Sequence, residues 1–204
     1  MPGIGNACAA AVQRRGQRSM LRSVAATLRP ARRAEEEFHL AGPFVPGMRF
    51  GIFIAPFHPT RENPGLALRG DFELVEWLDQ LGYDEARIGE HPSAYGIFQA
   101  RDGFIFIAAA AERTRHIKLG TGVSSLPYHH PLMLADRINQ LDHQTRGRTI
   151  FGVGPGALPS DAFMMGIDVA TQRDRMDEAI GVLVPLLRGE TVTHKSDWFE
   201  LREA

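Results

Sequence analysis

From Met48 onward the apolar positions switch repeatedly between two spacings, and the switching predicts strand, helix, strand, helix. Arg49 to Ile54 is a short, nearly continuous apolar run, the signature of a strand buried on both faces. Leu68, Phe72, Val75 and Leu78 then recur at helical spacing, with Asp71, Glu73, Glu76 and Asp79 expected on the solvent side. Gly82 ends that helix. Tyr83 to Ile88 predicts a second strand, Ile105 to Arg113 a helix and Ile117 to Val123 a third strand. Pro131 opens the next helix, where a missing N–H costs nothing, and Leu134, Ile138 and Leu141 form its buried stripe. Thr149 to Val153 predicts a fourth strand, followed by a helix over Gln172 to Arg188 that Pro185 should kink. Thr191 to Leu201 reads as a hairpin turning at Lys195-Ser196-Asp197.

Strand and helix in regular alternation imply a parallel sheet covered by helices, an α/β fold. The closed form, a TIM-type (β/α)8 barrel, needs eight such units and typically about 250 residues. The first four units are visible here, and they fill residues 48–204. A half-barrel carries strand edges without neighbours, so self-association into a homo-oligomer, or aggregation, is the physical expectation.

Residues 1–47 have a different composition. Seven arginines and no acidic residue fall between Met1 and Arg33, among Ala, Gly and Ser. That pattern matches an Arg-rich transit leader. It also matches translated GC-rich DNA lying upstream of a true start at Met48, which is the favoured expectation. Either way the segment is expected to be disordered or loosely helical.

Composition narrows the function classes. A net charge of −1 offers no whole-chain field for nucleic acid or an anionic membrane. No apolar run approaches the roughly 18 residues that a membrane span requires. The single cysteine, Cys8, rules out a disulfide framework and suits a reducing cytoplasm. No H-E-x-x-H run occurs, so no metal site is expected.

In parallel α/β folds, ligands bind at the carboxyl ends of the strands. That rule selects Ala55 to His58, Gly89 to Pro92, Thr121 to Pro127 and Gly152 to Gly156. His91 is the sharpest candidate there for proton transfer, with Glu90 beside it to orient the ring. A histidine bonded to backbone at a strand end is the competing reading. Phe57 and His58 are candidates for a substrate pocket, and the apolar set Phe57, Phe98, Phe104 and Leu126 suits a hydrophobic organic molecule. His129 and His130 precede a helix and are read as caps. The glycines at 152, 154 and 156 do not follow G-x-G-x-x-G, and a tight turn explains them better than a dinucleotide fold.

Several segments occur in an order that resembles one family. Arg49-Phe50-Gly51-Ile52-Phe53, Leu81-Gly82-Tyr83-Asp84, Gly89-Glu90-His91, Leu119-Gly120-Thr121-Gly122-Val123 and Leu141 to Arg148 are together similar to the N-terminal half of bacterial luciferase-like flavin-dependent monooxygenases. Ser125 to Met133 and Gly154 to Met165 resemble the limonene-monooxygenase-type branch. The resemblance implies a TIM-like barrel that uses reduced FMN, supplied by a separate flavin reductase, and O2 to oxygenate an organic substrate. It further implies that His91 performs acid/base work and that Gly122-Val123 forms a non-prolyl cis peptide against the flavin. Gly154 would lie in the cofactor site and Arg173 would contact the flavin phosphate. Three features depart from the family pattern: Pro92 where a second histidine is frequent, Pro155 where another phosphate arginine lies, and Gln99 to Gly103 in place of a Ser-Pro-Glu segment. Two other readings stand beside the monooxygenase. One is a catalytically silent half-barrel or interaction module, and the other an oxidoreductase of the same fold using the deazaflavin F420.

Overall fold

In the computed structural model, residues 48–55, 57–59, 61–92 and 102–204 are described. The arm over 1–47 and the rim residue Phe98 lie outside these.

Four parallel strands form the main sheet in the order β1 (Gly51–Ile54), β2 (Glu85–Ile88), β3 (Lys118–Thr121) and β5 (Thr149–Ile150). Each crossover carries a helix. Helix α1 (Pro64–Gln80) joins β1 to β2, α2 (Gly103–Ala111) joins β2 to β3, and α3 (Pro131–Thr145) precedes β5. Short β4 (Ser124–Ser125) pairs in parallel with β6 (Val153–Gly154) beyond the ends of β3 and β5. Then come α4 (Pro159–Met164), α5 (Gln172–Leu187) and the antiparallel hairpin β7 (His194–Lys195) with β8 (Glu200–Leu201). This is a partial barrel of the (β/α)8 type.

Local chemistry sets the helix starts. Asn63 and Asp102 cap α1 and α2 by accepting from the next free backbone N–H groups, and Pro64 and Pro131 occupy first-turn positions. Helix α5 runs through Pro185 and stops at Leu187, so the proline falls within its last turn. Helix α4 was not expected from the sequence.

Period-two alternation sorts the sheet into two faces. Ile54, Ala86, Ile88 and Leu119 are buried against Val75 and Leu78 of α1, Phe106 and Ile107 of α2, Leu134 and Ile138 of α3, and Ala179 and Leu183 of α5. The strand pairings place Phe53, Arg87, Gly120 and Ile150 in one row on the opposite face. That is the inner face of the sheet, and it is partly exposed. Phe53 is 57% exposed, and Arg87 is half-exposed and paired with Glu85 at 3.0 Å.

Two expectations need correction. The predicted third and fourth strands are each broken. The bond between Gly122 and Val123 is cis, and it divides β3 from β4. The side chain of Thr121 fills the gap, donating to the Gly152 carbonyl at 2.7 Å and accepting from the Gly152 N–H at 3.0 Å. Asp71 does not face solvent: it is buried, and its carboxylate meets His58 Nε2 at 2.8 Å. A carboxylate at that depth needs a partner, and the loop after β1 supplies it.

Asp79 and Arg148 hold the connections. The Asp79 carboxylate accepts from the backbone N–H groups of Arg115, His116 and Ile117, ordering the approach to β3. Buried Arg148 donates to Thr145 O, Thr114 Oγ1, Ile117 O, Ala111 O and Thr114 O, so one guanidinium satisfies the end of α2 and the entry to β3.

Candidate functional site

The carboxyl ends of β2, β3 and β6 converge on one rim. Gly89 N–H bonds the Ile54 carbonyl and Gly122 N–H the Ile88 carbonyl, so the chain leaves β2 and β3 side by side. His91 follows β2 directly. Its Nδ1 lies 3.0 Å from Oδ2 of Asp161 in α4, and the Asp161 side chain is only 3% exposed. The carboxylate that bonds the His91 ring is therefore contributed from 70 positions further along the chain. Nothing local in the sequence marks Asp161. The only signal near it was the general likeness of Gly154 to Met165 to the limonene-type branch.

Glu90 turns elsewhere. Its Oε1 lies 4.0 Å from His129 Nε2, and its Oε2 is buried with no hydrogen-bond partner among the described residues. Burial, with Asp102 and Asp161 adding to it and Arg137 opposing, pushes the Glu90 carboxyl up to about 7. Burial and then Arg137 hold the His129 imidazole below its ordinary value, with Asp102 opposing. A separation of 4.0 Å is too long for a hydrogen bond, and both shifts favour the neutral forms. The pair is a buried polar contact rather than an ion pair. His129 was expected to act as a helix cap. It instead packs edge-on to Phe104, with ring centroids 6.3 Å apart.

A second hydrogen-bonded pair lines the same rim. Gln172, at the start of α5, donates its side-chain N–H to the Tyr128 oxygen at 2.8 Å. Burial and the charge of Asp161 push the Tyr128 phenol up, with the Gln172 bond opposing. Gly156 lies against both residues at φ +93°, where a β-carbon would collide with the Tyr128 oxygen.

The glycines expected in the site have specific neighbours. A β-carbon on Gly122 would come within 3.0 Å of the Phe53 ring, and one on Gly154 within 2.6 Å of Val123 Cγ2. Gly154 thus makes room for Val123, the residue after the cis bond. Val123 and Val153 are 40% and 37% exposed, and with Phe53 they give the rim an apolar floor. Arg173 is exposed in the first turn of α5. Phe57 is exposed after β1, whereas His58 is tied to Asp71 at 2.8 Å and to Glu62 at 3.4 Å. Among the described residues no His, Cys, Asp and Glu group has the arrangement of a metal site, and no helix is long and apolar enough to cross a membrane.

The sequence profile of the luciferase-like monooxygenases matches residues 48–204. The chain belongs to that family. Over 157 residues it is 55% identical to 4-hydroxyprotoasukamycin monooxygenase of Streptomyces nodosus subsp. asukaensis, covering 76% of this chain and 42% of that protein. It is 52% identical over 155 residues to limonene 1,2-monooxygenase of Rhodococcus erythropolis, covering 76% and 40%. Among solved luciferase-like structures it resembles the oxygenating constituent of 3,6-diketocamphane monooxygenase from Pseudomonas putida, a complex with FMN. The TM-score is 0.70 and the identity 27%, over 75% of this chain and 43% of that one. The chain spans about two fifths of the length of the curated relatives it matches.

Proposed function

We propose that this chain forms the first half of a flavin-dependent monooxygenase that uses reduced FMN and O2 to oxygenate a hydrophobic organic substrate. The observation that carries the reading is the His91–Asp161 pair at the carboxyl ends of parallel strands, beside an exposed apolar floor of Phe53, Val123 and Val153. The names of the relatives point the same way.

The residues present fit a flavin. A flat, apolar ring system needs an uncharged wall and close backbone approach, and the floor with Gly122 offers both. Gly122 and Val123 would lie against the ring, with Gly154 keeping Val123 in place. Arg173, an exposed guanidinium fork at a helix start, suits the flavin phosphate. When bound, reduced FMN supplies the electrons and the activation of O2 that no side chain can provide. His91 holds or moves a proton at the rim, and Phe57, Phe53 and Val153 exclude water and receive the apolar substrate. The reduced flavin comes from a separate reductase.

Phe53 is 57% exposed on the inner sheet face, which favours a second reading for the isolated 204-residue chain. Alone it is catalytically silent, and its inner face is completed by further polypeptide, in the same product or in a partner chain. F420 is the alternative cofactor.

One experiment separates these readings. The chain is given heavy-isotope O2 and reduced FMN from an added reductase, with a panel of cyclic olefins and ketones. A parallel reaction contains reduced F420. Isotope incorporated with FMN supports the oxygenase. Substrate oxidation or reduction without isotope in the F420 reaction replaces it with the deazaflavin reading. No product in either reaction, with product restored by a polypeptide carrying the rest of the barrel, supports the silent half.

A further inference from the structure

We propose that Asp161 is a positioning residue that fixes His91 as the tautomer protonated at Nδ1, so that Nε2 is the ring atom that takes and returns the proton. The inference rests on the acid/base role proposed above for His91, and it adds which atom acts and what selects it.

The argument starts from burial. The Asp161 side chain is 3% exposed, and a carboxylate at that depth requires hydrogen-bond donors. An ionised carboxylate can only accept, and a neutral imidazole has one donor nitrogen and one acceptor nitrogen. At 3.0 Å between Oδ2 and Nδ1, the proton between them belongs to Nδ1 when Asp161 is ionised. The lone pair of the neutral ring is then on Nε2. The Asp161 carboxylate meets the His91 ring at 3.0 Å, and its charge also acts on Glu90 on the β2 side and on the Tyr128 phenol.

The two residues of the pair come from separate connections. His91 lies in the connection between β2 and α2, and Asp161 in the short helix after β6. Their bond forms only when β2 and the segment after β6 are both in place. Sequence neighbourhood could not do this, because Glu90 beside His91 is directed toward His129.

The test uses the whole chain labelled with 15N-histidine and observes the ring nitrogens at alkaline pH, where imidazoles are neutral. The His91 signals are assigned by their absence from His91→Gln. The expected result is a pyrrole-type Nδ1 and a pyridine-type Nε2 for His91, with loss of that pattern in Asp161→Ala. A His91 ring protonated at Nε2 in the unmodified chain would overturn the inference. So would a pattern that stays the same in a folded Asp161→Ala chain. If Asp161→Ala does not fold, the ring nitrogens of the unmodified chain decide the question by themselves. The result is independent of turnover. An Nδ1-protonated His91 together with unimpaired oxygenation by His91→Ala would sink the acid/base role and leave the tautomer assignment standing.

Discussion

Glu90 and His129 face each other across 4.0 Å in a buried pocket, and the fold drives both toward their uncharged forms. Neighbouring residues of the rim thus have opposite electrostatic characters. His91 is paired with a buried carboxylate, while Glu90 behaves as a buried carboxylic acid.

The Glu90 pair has a pH signature. The Glu90 carboxyl rises from 4.5 to about 7 on folding, so the native state binds its proton more tightly than the unfolded state. Its contribution is present in full below about 4.5 and is lost as pH rises toward about 7. His129 has the opposite sign. Its folded value is depressed, so its contribution is lost as pH falls below the ordinary 6.5. Glu90→Gln removes the ionisable carboxyl and with it the first contribution. Its gain in urea midpoint over the unmodified chain should be larger at about pH 8 than at about pH 5. An equal change at both values would contradict the burial account of Glu90.

Arg148 donates five hydrogen bonds from a buried position, four of them to backbone carbonyls. Arg148→Met leaves those acceptors without partners and should cost about 2–4 kcal/mol in chemical denaturation. Arg148→Lys should recover little, because an ammonium cannot reproduce the planar fork. Full rescue by lysine would show that the charge matters and the geometry does not.

Thr121 bridges the break between strand pairs through a hydroxyl that both donates to and accepts from Gly152. Thr121→Val keeps the shape and removes both bonds, so a loss of about 1–3 kcal/mol is expected, with Thr121→Ser retaining most of the stability. Equal stability of the valine and threonine chains would mean that the break is held by other contacts.

Gly154→Ala tests the support of Val123. The new β-carbon would meet Val123 Cγ2 at 2.6 Å, too close for any side-chain contact, so Val123 must move. Reduced-FMN affinity, measured by fluorescence quenching on a flavin-binding form of the protein, should fall about tenfold or more while the fold persists by circular dichroism. Unchanged affinity would remove Val123 from the cofactor wall.

Some of this was readable in the sequence. The stripes of α1, α3 and α5 have helical spacing, and Pro131 marks a start by known local chemistry, whereas Asn63 and Pro64 read as loop residues and instead open α1. What the pattern misplaced depends on distant partners. Asp71 looked like a solvent-facing residue because its partner His58 lies in a loop 13 positions away. Helix α4 is six residues long, too short to show a period. Asp161 sits within it and gains its meaning only from His91. Glu90 was the natural choice as orienting group because it is adjacent. Adjacent residues after a strand diverge, and here His91 turns toward Asp161 while Glu90 turns toward His129, which packs on Phe104.

The central claim is that His91 carries the proton of an oxygenation at this rim, and His91→Ala measured in an oxygenation-competent form tests it most directly. Turnover should fall about 10²-fold or more while reduced-FMN affinity stays within about twofold. Turnover equal to that of the unmodified protein would show that the His91–Asp161 pair is structural and that the proton moves elsewhere.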